Sequence, residues 1–135
     1  MTDPGWALQK AVYRALTTNA KVAVALGGRH VYDHVPRRTP RPYVTFARRT
    51  VRDQSSSTET AHEHTLTLNV WAEATGAKKV AAVMAAVRTA LHDQDLTLEG
   101  HHLVNLRHEF SEIERRDDGA AFDATMRFRA LTEPR

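Results

Sequence analysis

The sequence predicts an α+β fold: a mostly antiparallel, four- to five-stranded sheet with helices packed on one face. Three observations carry this expectation. Two helical segments precede any strand. Two stretches with period-two alternation, 62–73 and 122–130, stand far apart in the chain. Between them lies one alanine-rich segment with a helical apolar stripe. At 135 residues the chain suits a single domain, 1–135, large enough for one hydrophobic core.

Asp3 is a good N-cap and Pro4 a good first helical residue. Leu8, Val12 and Leu16 then repeat at helical spacing with Ala11 and Ala15 beside them, so a helix is expected over about 4–18. Asn19 caps a second short helix, Ala20 to Leu26, and Gly27-Gly28 ends it, because glycine readily takes the left-handed conformation past a helix end. Pro36, Pro40 and Pro42 make 29–42 an ordered loop. Tyr43 to Arg49 reads as a strand, with Val44 and Phe46 on one face and Tyr43, Thr45 and Ala47 on the other. Residues 50–60 hold no apolar side chain except Val51 and read as a flexible hairpin loop. In the strand from His62 to Glu73, Leu66, Leu68 and Val70 alternate with Thr65, Thr67, Asn69 and Trp71.

Thr75-Gly76 opens the main helix, whose stripe is Val80, Val83, Met84, Val87 and Leu91; it ends near His92-Asp93. Leu96 and Leu98 lead to Gly100, Leu103 to Phe110 reads as a strand, and 111–117 continues extended. Asp117-Asp118-Gly119 is a turn signal. In the last strand Phe122, Ala124, Met126, Phe128 and Ala130 are expected inside, and Asp123, Thr125, Arg127 and Arg129 outside.

Composition narrows the function. There are no cysteines, which removes disulfide frameworks, thiolate zinc sites and cysteine nucleophiles together. No apolar run approaches the roughly 18 residues of a membrane span, and the N-terminus lacks signal-peptide character. A reducing cytoplasm fits such a chain. The net charge is +3 but unevenly placed. Arg29, Arg37, Arg38, Arg41, Arg48, Arg49 and Arg52, opposed only by Asp33, put +6 on residues 29–52. Guanidinium groups bind carboxylates and phosphates in planar, bidentate fashion, so the cluster suits an acidic protein surface or nucleic acid; a merely solvated loop is the bland alternative.

Templates for catalysis are missing. The chain has no phosphate-binding Gly-x-x-x-x-Gly-Lys-Ser/Thr, no Gly-x-Gly-x-x-Gly and no Gly-x-Ser-x-Gly elbow. Serines 55–57 sit in the polar loop with nothing to activate them. His62 and His64 share a strand face, and His101, His102 and His108 could join them, but no third ligand has a defined spacing; exposed strand histidines are expected instead of a metal site. Asp117 and Asp118 read as a turn, not a carboxylate pair. Trp71, opposite Leu66, Leu68 and Val70, marks a second apolar surface, covered by a helix of the same chain or, as the alternative, by a neighbouring subunit. No catalytic, cofactor-binding or metal-binding residue is assigned.

The run Gly28-Arg29-His30-Val31-Tyr32-Asp33-His34-Val35-Pro36, followed by Arg41-Pro42-Tyr43-Val44, resembles the signature of the siphophage-type tail-completion (tail-terminator) family. Leu66-Thr67-Leu68-Asn69-Val70-Trp71 with Gly76, Ala90-Leu91-His92, the Leu96–Gly100 segment and Arg116-Asp117-Asp118-Gly119 resemble that family's later elements, over about residues 6 to 130. Thr45-Phe46-Ala47 departs from it where relatives carry a glycine. The arginine- and alanine-rich character resembles the tail terminators of gene transfer agents, domesticated phage-like particles of some bacteria.

The resemblance implies a structural protein without enzymatic activity, assembled in the cytoplasm and then part of a virion or gene transfer agent particle. It implies a homo-hexameric ring that caps the tail tube, stops its polymerisation and offers the head-tail joining surface. The implied partners are other copies of the chain, the major tail tube protein, a head-side connector or stopper protein, and double-stranded DNA passing through the lumen without sequence-specific binding; no membrane is involved. The alternatives are a head-side stopper or adaptor and a small basic nucleic-acid-binding module, though no helix-turn-helix, zinc-finger spacing or stacking aromatics support the latter. The candidate interface for tube or connector is Arg37, Arg38, Arg41, Arg48, Arg49, Arg52, Asp53, Gln54 and Glu59.

Overall fold

The computed structural model describes residues 2–116 and 119–135. Its elements follow in the order α1 (Pro4–Thr17), α2 (Ala20–Leu26), β1 (Val31–Tyr32), β2 (Tyr43–Asp53), β3 (His62–Glu73), α3 (Ala77–Leu91), β4 (His101–Arg116) and β5 (Ala121–Pro134). The caps act as their chemistry dictates. Asp3 accepts from Trp6 N at 2.9 Å, Asn19 accepts from both Lys21 N and Val22 N, and Gly27 closes α2 at φ 77°.

One five-stranded sheet runs β1-β2-β3-β5-β4. β1 and β2 are parallel and the other neighbours antiparallel, so the fold is α+β with a mixed, mostly antiparallel sheet. α3 carries the chain from β3 past the position of β5 to β4, and β5 then returns between them. The core joins the helix stripes Leu8, Val12, Leu16 and Val80, Val83, Val87, Leu91 to one sheet face: Val44, Leu66, Leu68, Val70, Leu103, Leu106 and the expected Phe122, Ala124, Met126, Phe128 and Ala130.

Several boundaries differ from those the sequence suggests. The loop 29–42 contains β1, where buried Val31 pairs with Val44; two residues are too few to show a period. β2 continues to Asp53, pairing residue by residue with β3 down to His62. Residues 50–53 are therefore strand, because the partner strand supplies their hydrogen bonds whatever their polarity. β4 starts at His101 and includes 111–116. Of the expected turn, Asp117 and Asp118 lie outside the described residues, and Gly119 has φ 89°. Asp123 does point away from the core face but is buried. Asn69 Nδ2 donates to it at 2.8 Å and Arg116 lies 3.3 Å away. Burial raises its pKa, and Arg116 and Asn69 offset part of that rise.

Candidate interaction surface

The open sheet face is the side away from the helices. Row by row it shows Tyr43, Trp71 and Asp123; then Thr45, Asn69 and Thr125; then Arg48, Thr67 and Arg127; then Thr50, Thr65 and Arg129. No helix covers Trp71, contrary to the first expectation. Its side chain is half-buried among strand neighbours and its Nε1 donates to Thr45 Oγ1 at 3.4 Å. The reason is topological: the helix stripes all enter the core cluster on the other face.

β2 distributes the candidate interface residues over its whole length, so they do not form one patch. At its start, Arg37 and Arg38 are exposed in a turn in which Arg38 takes φ 62° and Thr39 Oγ1 donates to Pro36 O at 2.6 Å. Arg41 reaches Glu73 at 3.5 Å and, with Pro42, lines a groove of about 590 Å³ shared with Val24, Gly76 and Lys79. Along the strand, Arg48 and Arg52 lie on the open face. Arg49 turns to the helix side, donates to Gly5 O at 3.1 Å and Gln9 Oε1 at 3.0 Å, and stacks 5.7 Å from the Trp6 ring. Asp53, Gln54 and Glu59 stand at the far end. At roughly 3.3 Å per residue, the two ends of β2 are about 30 Å apart.

The tip between β2 and β3 is built, not loose. Gln54 N donates to Ala61 O at 2.9 Å and Ser56 N to Glu59 O at 2.8 Å. Ser56 Oγ accepts from Glu59 N at 3.1 Å and Ser55 Oγ from Ala61 N at 3.1 Å. Asp53 accepts from Ser55, which lowers its pKa. The serines thus hold the turn; the tendency of Ser to bond the backbone two or three residues on was the signal available for this.

Of the strand histidines expected to be exposed, His102 is, but His62, His64, His101 and His108 are buried or half-buried. His64 and His101 are buried on the helix side. His64 Nε2 bonds Thr132 Oγ1 at 2.8 Å and His101 Nε2 bonds Thr2 O at 2.7 Å. His108 is half-buried against Phe128 and bonds Ser111. Thr132, Thr2 and Phe128 are distant in the chain, so sequence spacing does not bring them to these histidines; Ser111 stands three residues from His108 on the same strand. The surface as a whole offers charge, edge backbone and a polar tip, which suits docking to other proteins.

Residues 10–133 match the family model described as tail completion protein gp17. The chain belongs to this tail-completion family. In fold and sequence the family member is also similar, at 32% identity and a TM-score of 0.87, to a chain of a solved structure described as the virion of a native gene transfer agent (GTA) particle; the match covers 95% of this chain and 96% of that one. A second solved chain is 14% identical with a TM-score of 0.61, over 96% of this chain and 94% of that one, and shares the fold. No curated protein sequence matches.

Proposed function

We propose that this tail-completion protein is a structural part of a phage-like particle, the terminator ring at the head-proximal end of the tail. Near full-length similarity to a chain of a gene transfer agent virion, together with membership in the family, carries the reading. Six copies close into a ring that stops tube growth and receives the head-side connector, and duplex DNA passes through it without base readout. The subunit is made in the cytoplasm and works by contact, with no catalytic step. A domain of this length has a radius of gyration near 14 Å, so six in a ring leave a hole of roughly 36 Å, wide enough for a duplex.

A terminator has one partner on each side of its ring, and β2 supports this arrangement. Arg37, Arg38 and Arg41 stand at one end, and Asp53, Gln54 and Glu59 at the other. We assign one end to the tube and the other to the connector. Replacing residues 55–60 by an Asn-Gly turn keeps β2 paired with β3 while removing the tip. Particles assembled with that subunit should show tails of uncontrolled length or tails without heads by electron microscopy. A normal yield of DNA-filled particles would sink the assignment of the tip.

A further inference from the structure

The sheet has two unfinished margins. β1 pairs with β2 only at Val44 and Thr45, so among the described residues no strand lies outside Phe46–Asp53. At the other margin β4 is the last strand. Residues 92 and 93 cap its first half, through Asp93 N to Leu106 O at 2.7 Å and His108 N to His92 Nδ1 at 2.9 Å. From Glu109 to Arg116 no strand of the described chain adjoins its outer edge.

Exposed edges are usually blunted by prolines, bulges or charges. The bulges here come early in each open stretch, between Phe46 and Arg48 and between His108 and Phe110. Neither 46–53 nor 109–116 contains proline. What differs between the margins is charge. On the open face β2 presents Arg48 and Arg52, which form no ion pair among the described residues. On the same face β4 presents Glu112, also without an ion-pair partner among the described residues, and Glu114, which shares Arg116 with Asp123. The cations of β4 are engaged within the chain: Arg116 with those carboxylates, and Arg115 with the Phe122 ring and Ala74 O. On the helix side each margin exposes one aliphatic side chain, Val51 at 42% and Ile113 at 48%.

We infer that the open half of β2 pairs, antiparallel, with the open half of β4 from a second copy of this chain, and that this pairing is the ring contact. The inference rests on the ring reading above. β2 and β4 already run in opposite directions within the sheet, so continuing the sheet from copy to copy sets them antiparallel. Pairing β2 with β2 would oppose arginines, and β4 with β4 glutamates; only the unlike margins attract. Such a contact is head to tail and closes by rotation. With Arg48 opposite Glu114, Thr50 faces Glu112, and Val51 and Ile113 are diagonal neighbours.

The geometry of that register permits closure. Arg52 shares a row with Asn105 through Glu63 and Leu131, whereas in the proposed contact Phe110 of the neighbour stands opposite it. Because of the β4 bulge, Phe110 lies in the row of Arg48, so the offset is four rows, about 13 Å, and five strands at about 4.8 Å are roughly 24 Å wide. Strands would then tilt by about 30° to the ring axis, just below the 35–45° of closed barrels.

The absence of cysteine allows a clean test. Particles are assembled with a Val51→Cys, Ile113→Cys subunit and treated with a bismaleimide, whose reach tolerates a two-residue slip. A denaturing gel should show a ladder ending at six copies, absent from either single variant. A variant subunit present in particles but staying monomeric on the gel would overturn the edge contact and leave the particle role standing. Particles that lack even the unaltered subunit would overturn both. If only the cysteine variant fails to enter particles, charge exchange decides. Arg48→Glu should be lost from particles and Arg48→Glu with Glu114→Arg should return; Arg48→Glu assembling as well as the unaltered subunit would refute the contact.

Discussion

In water a histidine takes up a proton near neutral pH. His64 in the folded chain does not, because burial, and then the neighbouring His62, push its pKa down to about 4, with only Asp3 acting the other way. The unfolded chain protonates His64 below the ordinary histidine pKa of about 6.5, so between pH 6.5 and 4 it binds a proton the folded chain refuses. Stability should therefore fall as pH drops through that window. His64→Gln keeps a donor for Thr132 and removes the titration. Urea midpoints measured at pH 7, 6, 5 and 4.5 should fall less steeply for the variant. That His62 and His64 share a strand face was legible from their spacing. The burial of His64 was not, since it depends on Thr132, sixty-eight positions away, and on α1 closing over the sheet end.

At the scale of elements, the apolar periods translated directly into burial. Each alternate residue from Phe122 to Ala130 entered the core, and so did Val80, Val83, Val87 and Leu91 of the α3 stripe, with Met84 half-buried against it. Phe128 is the largest side chain fully enclosed. Phe128→Ala should cost about 3–5 kcal/mol, the usual range for emptying an aromatic core site, read as a drop in the urea midpoint with an unchanged slope. The strand part of 50–53 was hidden for the converse reason. With only Val51 apolar, nothing local announces a strand, and the ladder to β3 alone fixes it. The same holds for β1. The candidate interface was legible as a list of charged residues but not as an arrangement: a strand of eleven residues separates what a loop would have gathered.

For the whole molecule, the order of elements gave the α+β class, whereas the mixed sheet and the place of β5 came only from long-range pairing. Charge at this scale argues against tight capture of DNA. On the open face Arg127 and Arg129 share Glu109, and the net +3 is modest. Purified protein should bind duplex DNA weakly, with affinity falling steeply between about 50 and 200 mM salt, as expected for phosphate contacts alone. Submicromolar, salt-tolerant binding in fluorescence anisotropy would instead favour a nucleic-acid-binding module.

The position of β5 has a consequence for how such a subunit is made. The last strand in the chain is an interior strand of the sheet, and β4 has no other strand to lean on. While the ribosome still holds residues 121–134, β3 and β4 have nothing between them, and the margin carrying Glu112 and Ile113 does not yet exist. Until β5 is in place, a chain offers only the β2 margin of the proposed contact. Only a subunit whose β5 has paired presents both margins, so in the proposed ring a copy lacking that strand would end a row of subunits and not extend it.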